Sequence, residues 1–349
     1  MRSTLVPFHV ASNNTLLSIG KIQKNLNEAQ VELSSGRWQD VGYKLAENTG
    51  LVLDYRAQLS LSETIKSSNA VVKIRAEFTQ EALSVISNEA QNFLATTIAS
   101  RSNQLSAEVT LSSISESYKS VLGALNTSVN GVSIFSGINV EQPPFENYFE
   151  TPPPASKQAV DAAFFAEFGF AQSSPAVSTI SVAAMESFID NAFSNLFDSP
   201  DWETNWSKAS SNNLATRIGF NETMSTSVNA NTSAMRKLTM AYTMASDLGT
   251  TEQNGAVFQM VMDKSAQMIS DTIDELNQVR ATVGVIEERV KLAEERLDVQ
   301  SNIFQKLIGN YEGVDATEVA VRINSLSTQL ETAYVLTGKI NQLSLLKYF

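Results

Sequence analysis

The residues that could do chemistry in this chain are few, and their types and spacing do not suit a catalytic centre. His9 is the single histidine among 349 residues, and there is no cysteine. A zinc site built from several histidines or cysteines is therefore excluded, as is a thiol nucleophile. A Ser-His-Asp relay would have to run through His9, which follows Pro7 in what we expect to be a loose segment. We expect no enzyme activity, no cofactor and no metal site.

Two pairs of adjacent carboxylates, Glu287-Glu288 and Glu294-Glu295, are the other candidates for acid–base work. Neighbours on a helix point about 100° apart, so neither pair converges on one point. Arg289, Lys291 and Arg296 stand among them. This alternation of acidic and basic residues is typical of a solvated charged helix face. The sequence also contains no glycine-rich loop of the kind that binds phosphate. The pattern does not indicate catalysis.

The charge balance argues against two classes of partner. The formal net charge is −12, and no segment is rich in lysine and arginine. Nucleic acids and anionic membrane surfaces are bound through clustered cations, so we expect neither as a partner. No stretch is apolar enough to span a bilayer, and residues 1–14 lack the apolar core of a signal peptide.

Apolar periodicity predicts long amphipathic helices in the two ends of the chain. Of the eight prolines, Pro7 lies near the start and the other seven fall between residues 143 and 200. Because proline interrupts helices, its position leaves both ends free to form long ones. In the first predicted helix, apolar residues recur every three or four positions from Leu16 to Leu33.

Caps and glycines predict where the N-terminal helices begin and end. Asn13 or Asn14 is a plausible N-cap of the first helix, and Ser34-Ser35-Gly36 a plausible end. A second helix is expected from about Leu51 to about Ser100. A third carries apolar positions from Leu111 to Val132, where we expect it to give way to a strand or turn.

The composition changes between about Asn139 and about Thr251, where prolines, aromatic residues and short polar runs predominate. Short helices are expected at Asp161–Phe170 and Val182–Phe197, and one or two strands within Arg217–Asn229. We interpret this region as a small α+β insert.

A heptad repeat characterises the helix that follows the insert. Two apolar series recur every seven residues, Leu276-Val283-Val290-Leu297 and Val279-Ile286-Ala293, which predicts a coiled-coil seam. Gly284 lies inside this seam, where glycine costs about 1 kcal/mol relative to alanine. Either another helix approaches closely at this point, or a destabilising residue is tolerated.

The last predicted helix begins at a capping box, Asp315 with Glu318, and continues to Phe349. Its apolar residues are more than one stripe requires, so it needs apolar neighbours on more than one side. The first helix can cover one side, and other subunits would cover the rest; an ordinary intramolecular helical hairpin is the alternative. The predicted assembly interface comprises Leu16, Ile19, Ile22, Leu26, Leu33, Leu326, Leu330, Leu336, Ile340, Leu343, Leu346 and Phe349.

Five short motifs occur in order along the chain: Leu33-Ser34-Ser35-Gly36, Phe135–Asn139 with Pro144-Phe145, Arg280–Arg289, Asp315–Ala320 and Leu343–Leu346. In their order and distances they resemble the flagellin and hook-associated proteins of the bacterial flagellum. The segment after Gly36, Arg37–Leu45, departs from the flagellin pattern and looks more like the FlgL-type junction protein.

The resemblance implies a mainly α fold, with a long helical coiled-coil rod from paired N- and C-terminal segments and a small α+β insert lobe. Residues 1–40 and 312–349 would form a terminal assembly domain, 41–138 and 252–311 a helical rod, and 139–251 an outer insert domain. Packing in the rod would involve Arg280, Val283, Gly284, Ile286 and Arg289.

The resemblance also implies a function, a location and partners. The chain would be a structural adaptor that joins a hook-side junction protein to the filament, outside the cell and after type III export. Its partners would be further copies of itself in a ring, the hook-side junction protein, flagellin and an export chaperone. The terminal segments would order only on assembly, since an apolar stripe without neighbours cannot offset its ordering entropy.

Two other functions fit the residues. One is a minor flagellin that forms the filament itself. The other is a secreted surface-binding protein whose insert exposes an aromatic patch; in the alternative interpretation the same aromatics are the core of the insert. The patch would comprise Phe164, Phe165, Phe168, Phe170, Trp202 and Trp206.

Overall fold

The fold is mainly α, as predicted, with long helices and two small two-stranded sheets. The computed structural model describes residues 8–101, 106–249 and 253–345. The chain divides into two compact units: residues up to Glu63 together with those from Leu297 onward, and Thr64–Arg296. In the described residues no helix combines the length and apolarity needed to cross a bilayer.

The first unit contains the paired helices from the two ends of the sequence. Helix α1 spans Phe8–Ser35 and α9 spans Ala316–Leu345. Between α1 and the start of α3 lie a short helix, α2 (Val41–Leu45), and a 3₁₀ turn at Ala46–Asn48. Helix α3 spans Thr49–Arg101 and α8 spans Gly255–Glu312, so this unit holds the beginning of α3 and the end of α8.

The predicted N-cap of α1 is wrong, because the helix begins at Phe8 and passes through Asn13 and Asn14. Both asparagines are exposed. Asparagine interrupts a helix by hydrogen bonding to nearby backbone, and a side chain in solvent does not compete in that way. The end is as predicted: Gly36 follows Ser35 with a φ of +69°, which glycine adopts without strain.

The second unit is built around α3, α4 (Ala107–Leu125) and α8. The heptad seam of α8 faces inward, since Leu276, Val283, Ile286, Val290 and Ala293 are all buried. Apolar residues of α3 and α4 supply the facing side, among them Leu83, Ile86, Phe93, Ile114 and Val121. The side chains buried along α8 therefore recur with the heptad spacing that was predicted from the sequence.

The third helix ends earlier than predicted, at Leu125. Val129 and Val132 instead pair across an antiparallel hairpin formed by β1 (Ser128–Val129) and β2 (Val132–Ser133). Asn130 and Gly131 at its tip have φ values of 54° and 77°. Asn-Gly favours this tight turn because both residues tolerate positive φ, so the dipeptide outweighs the helical spacing of the valines.

The region between β2 and α8 has a compact aromatic core. It contains α5 (Ala155–Phe168), α6 (Val182–Phe188), α7 (Ser233–Thr243) and π-helical turns at Ile189–Phe193, Trp202–Trp206 and Met244–Leu248. Phe164, Trp202 and Trp206 are buried, and Phe168 and Phe170 pack against them. Of the proposed aromatic patch only Phe165 is exposed, and the other five residues belong to the core of the region or pack against it.

A second hairpin packs against the helices of the same unit. Strands β3 (Ala215–Gly219) and β4 (Glu222–Ser225) are antiparallel, and lie within the segment predicted to contain strands. Ile218 is fully buried in a cluster with Val72 of α3 and Ile286 of α8. The side chain of Asn69 donates to the Ile218 carbonyl at 3.0 Å.

Candidate assembly interface

Helices α1 and α9 pair through a narrow line of buried residues. Ile19 and Ala29 of α1 and Val319 of α9 are buried. Toward the far end of the pair, Gln23 Nε2 donates to the Tyr334 hydroxyl at 2.7 Å. A two-helix pair can bury one stripe from each partner, so the other faces remain open.

Some of the predicted assembly residues are buried or half-buried in the α1–α9 pair, and others are exposed to solvent. Ile19 is buried, while Ile22, Leu26, Leu326 and Leu330 are half-buried. Leu16, Leu33 and Leu336 are exposed. Ile340 and Leu343 belong to α9, but their side chains lie outside the described set, and Leu346 and Phe349 lie outside the described residues.

Further apolar side chains on the pair are exposed and were missed by the sequence reasoning. They lie off the predicted stripe, which followed one helical period and so omitted apolar residues on the other faces. Both helices contain more apolar residues than one stripe requires, an excess that we considered only for the last helix. This excess could have predicted the additional exposed side chains. They are Leu17, Val31, Val321 and Val335.

The end of α1 and the start of α9 meet at a helix junction formed by residues 36–38 and 312–314. Trp38 N donates to the Glu312 carbonyl at 3.0 Å, and Val314 N donates to the Gly36 carbonyl at 3.1 Å. A side chain at Gly313 would place its Cβ 2.5 Å from the Gly309 carbonyl oxygen. Only glycine fits there, so both breaks in the helices depend on a glycine.

The side chain of Glu312 is the centre of an ion-pair cluster at this junction. It is 2% exposed and binds the guanidinium groups of Arg37 and Arg56, the latter at 2.6 Å. Both arginines are about half exposed. A buried carboxylate is stable only when its oxygens are paired, and here two arginines supply the donors.

A second carboxylate, Glu32, links α1 to α9 near the junction. Glu32 accepts from Arg322 at 2.6 Å and from the Gln39 backbone at 3.3 Å. The Trp38 ring lies within 5.5 Å of the Arg322 guanidinium and 4.2 Å of the Lys44 ammonium. Sequence reasoning did not find these pairs, because each joins residues that are far apart in the chain or belong to different elements.

Asp315 caps α9 as predicted. Its Oδ1 accepts from the backbone nitrogens of Thr317 at 2.7 Å and Glu318 at 3.3 Å. These hydrogen bonds favour the charged carboxylate and hold the pKa of Asp315 below its usual value. The cap satisfies helix donors that would otherwise lack partners.

The residues expected to pack in the rod lie on α8 in the second unit. Val283 and Ile286 are buried in the seam. Gln80 of α3 donates to the Arg280 carbonyl at 2.9 Å, and a Cβ at Gly284 would lie 3.9 Å from the same Gln80 side chain. That distance is an ordinary contact, so the packing of α3 does not require glycine at this position.

Arg289 has a specific partner in the β3–β4 hairpin. It donates to Glu222 at 2.7 Å, and Arg296 binds the other oxygen of the same carboxylate. The hydrogen bond from Arg289 is the main reason that the pKa of Glu222 lies below its usual value. Glu222 thus fastens the hairpin to α8.

One buried ionisable group of the second unit could suggest chemistry. Asp247 lies 3.2 Å from the Lys157 ammonium and accepts from the Tyr148 hydroxyl at 2.9 Å. Burial raises the pKa of Asp247, and the charge of Lys157 opposes that rise. All three groups satisfy one another, and the described residues contain no group of three metal-ligating side chains. The arrangement is that of a structural ion pair.

Comparison with known proteins points to one family. The bacterial flagellin N-terminal helical region matches residues 7–140, and the bacterial flagellin C-terminal helical region matches residues 266–349. No curated protein sequence matches the chain significantly.

Among solved structures, the fold resembles that of a proposed flagellar hook-associated protein from Vibrio parahaemolyticus. The TM-score is 0.51 at 10% sequence identity, and the match covers 76% of this chain and 97% of the other. At that identity the likeness concerns the fold alone.

The chain belongs to the flagellin family. Members of this family are structural proteins, and they assemble with one another into flagellar polymers. The open faces of the α1–α9 pair are therefore the candidate assembly interface.

Proposed function

We propose that this protein is the adaptor subunit that joins a hook-side junction protein to the flagellar filament. The observation that carries the proposal is the exposed apolar surface of the α1–α9 pair, which an isolated subunit leaves in water. Leu16, Leu17, Val335 and Leu336 belong to it. Exposed apolar surface of this kind is typical of an interaction site, and in this family the partner is another subunit.

A role at the junction is favoured by the segment that departs from the flagellin pattern. Arg37 and Trp38 stand where flagellins carry a different sequence, and here both fasten the end of α8 or the start of α9. We propose three functional parts: 1–40 with 312–349 for assembly, 41–138 with 252–311 as the rod, and 139–251 as the outer lobe. Subunits would form a ring outside the cell, with flagellin beyond it and an export chaperone before secretion.

Immunogold electron microscopy of isolated flagella tests the location directly. The antibody is raised against residues 139–251, and flagella from a strain lacking the gene serve as the control. A single band of gold where hook meets filament is the expected result. Label along the whole filament would instead indicate a minor flagellin, and no label on the appendage would favour a secreted surface-binding protein.

Hydrogen exchange of the free subunit tests whether the terminal helices order only on assembly. Leu326 and Leu330 are half-buried in the α1–α9 pair, so little burial protects this pair in a monomer. We expect fast exchange of α9 amides in the monomer and slow exchange in isolated flagella. Strong protection around Leu330 in a monomer would contradict this part of the proposal.

A further inference from the structure

A strip of apolar side chains on the outside of α3 carries an arginine that has no partner among the described residues. Val71, Ile74 and Phe78 are 56%, 45% and 48% exposed. Spacings of three and four residues place them and Arg75 on one side of the helix. We call these four residues the basic–apolar face. All of them belong to the second unit.

Arg75 is incompletely solvated in the free subunit. One terminal nitrogen of its guanidinium is buried, and the group has no hydrogen-bond or ion-pair partner in the described part of the chain. Arg236 and Arg322 also have one buried nitrogen without a partner, but another nitrogen of each guanidinium binds a carboxylate. Burial lowers the pKa of Arg75. A half-buried cation of this kind is stabilised by an arriving carboxylate.

An outward face of α8 in the same unit has the opposite character. Val285 and Leu292 are 58% and 45% exposed, on the side away from the buried seam. Glu288 and Glu295 follow them at helical spacing, so apolar and acidic residues alternate along one face. Glu288 has only a loose contact, 3.9 Å to Lys291, and Glu295 has no partner among the described residues. We call these four residues the acidic–apolar face.

The two faces match in spacing and in charge. Val71 and Phe78 are seven residues apart, as are Val285 and Leu292. At 1.5 Å per residue each pair spans about 10 Å along its helix. One face carries a guanidinium without a partner in the described part of the chain, and the other carries carboxylates that are loosely held or lack a partner there.

We infer that the basic–apolar face of one copy packs against the acidic–apolar face of a second copy. Both faces are exposed in one folded subunit, so the contact that covers them lies between molecules. The inference rests on the proposed function, since it names the surface through which copies of the chain associate. Because the faces differ, the contact is head-to-tail and can repeat from copy to copy into a ring or a filament.

The size of the faces determines how the contact should behave. Five apolar side chains and a few charges fall short of a standard stable interface of about 1,600 Å². An isolated pair of subunits is therefore held weakly, and the contact gains strength only when other surfaces, such as the α1–α9 pair, associate as well.

Cross-linking between two differently tagged chains tests the inference. One chain carries Ile74→Cys and the other Leu292→Cys; because the natural chain has no cysteine, only these sites react. A short bis-maleimide is added to the mixture at high protein concentration. The matched control pair is Lys73→Cys with Glu294→Cys on the same helices. Lys73 is exposed and Glu294 is half-buried, and neither is three or four residues from a member of the two faces.

We expect about tenfold more mixed-tag dimer from the Ile74 and Leu292 pair than from the control pair, which corresponds to 1.4 kcal/mol. Equal yields would overturn the inference. So would a preference of the Ile74→Cys chain for itself, since that result requires a symmetric contact. Neither result depends on where immunogold places the protein, so this test can fail while the junction role stands.

Charge reversal provides the second readout. Arg75→Glu in the Ile74→Cys chain should lower the yield of mixed dimer toward that of the control pair. Glu288→Arg with Glu295→Arg in the Leu292→Cys chain should restore it, because the charges are then exchanged. A merely misfolded variant would not be rescued by changes in another molecule. Failure of the rescue, with both variants folded by circular dichroism, would refute the pairing of these charges.

Discussion

Replacing Ile218 with alanine tests how the β3–β4 hairpin is attached to the helices. Ile218 is fully buried between Val72 and Ile286. The substitution removes three carbon atoms, worth about 0.8 kcal/mol each, and leaves a small cavity; together they cost about 3 kcal/mol. Asn69 and Glu222 still hold the hairpin, so the loss should appear as local opening of the hairpin while α8 stays folded.

Hydrogen exchange followed by mass spectrometry measures this opening. A loss of about 3 kcal/mol raises the opening constant about 100-fold, so peptides covering residues 215–225 should exchange about 100-fold faster. Peptides around Leu276 should be unchanged. Thr223→Ala is the matched control, since Thr223 is exposed on the same hairpin and should alter stability by less than about 0.5 kcal/mol. Unchanged protection in Ile218→Ala would refute the idea that this side chain anchors the hairpin.

Four further substitutions test the helix junction and the ion pairs. Gly313→Ala should destabilise the protein by about 1–3 kcal/mol, because the new Cβ would meet the Gly309 carbonyl. Gly309→Ala, whose Cβ would have no described atom within 4 Å, should stabilise the protein by about 0.5–1 kcal/mol. Thermal unfolding of the two variants compares these effects. Glu312→Gln should cost about 1–3 kcal/mol in urea unfolding by leaving two arginines without their carboxylate, and an unchanged midpoint would contradict this. Because folding lowers the pKa of Glu222, this carboxylate stabilises the folded protein above the usual carboxyl pKa, and the stabilisation is lost as the pH falls. Glu222→Gln should remove this part of the pH dependence of the free energy of unfolding. A variant with the same pH profile of stability as the natural protein would contradict this.

The long helices could be predicted because their apolar residues repeat with a clear period. In the seam from Leu276 to Ala293, the positions that the heptads indicated are buried, except Val279, which is half-buried and packs against the core. The end of α1 at Gly36 and the cap at Asp315 were also predictable, because each depends on one residue with a local role. Local signals failed where two competed, as at Asn130-Gly131, where the turn preference outweighed the helical spacing.

The contacts between distant segments could not be predicted from one sequence. Glu222 is 67 residues from Arg289, and Arg37 is 275 residues from Glu312. Such pairs leave no periodic trace, since one charged residue among many carries no information about its partner. The position of Arg75 shows the same limit: its type is visible in the sequence, but its lack of a partner among the described residues is visible only in the fold.

The docking of the β3–β4 hairpin has a consequence for the order in which the chain folds. Asn69 binds the Ile218 carbonyl 149 residues later, and the same isoleucine packs against Ile286 on α8. The second unit therefore closes only after residues near 290 are available, and contacts of such long sequence separation form slowly. During synthesis, α3 spends most of the translation time without the helix that covers its apolar side. Because of this topology, the second unit cannot complete its core until most of the chain has been synthesised.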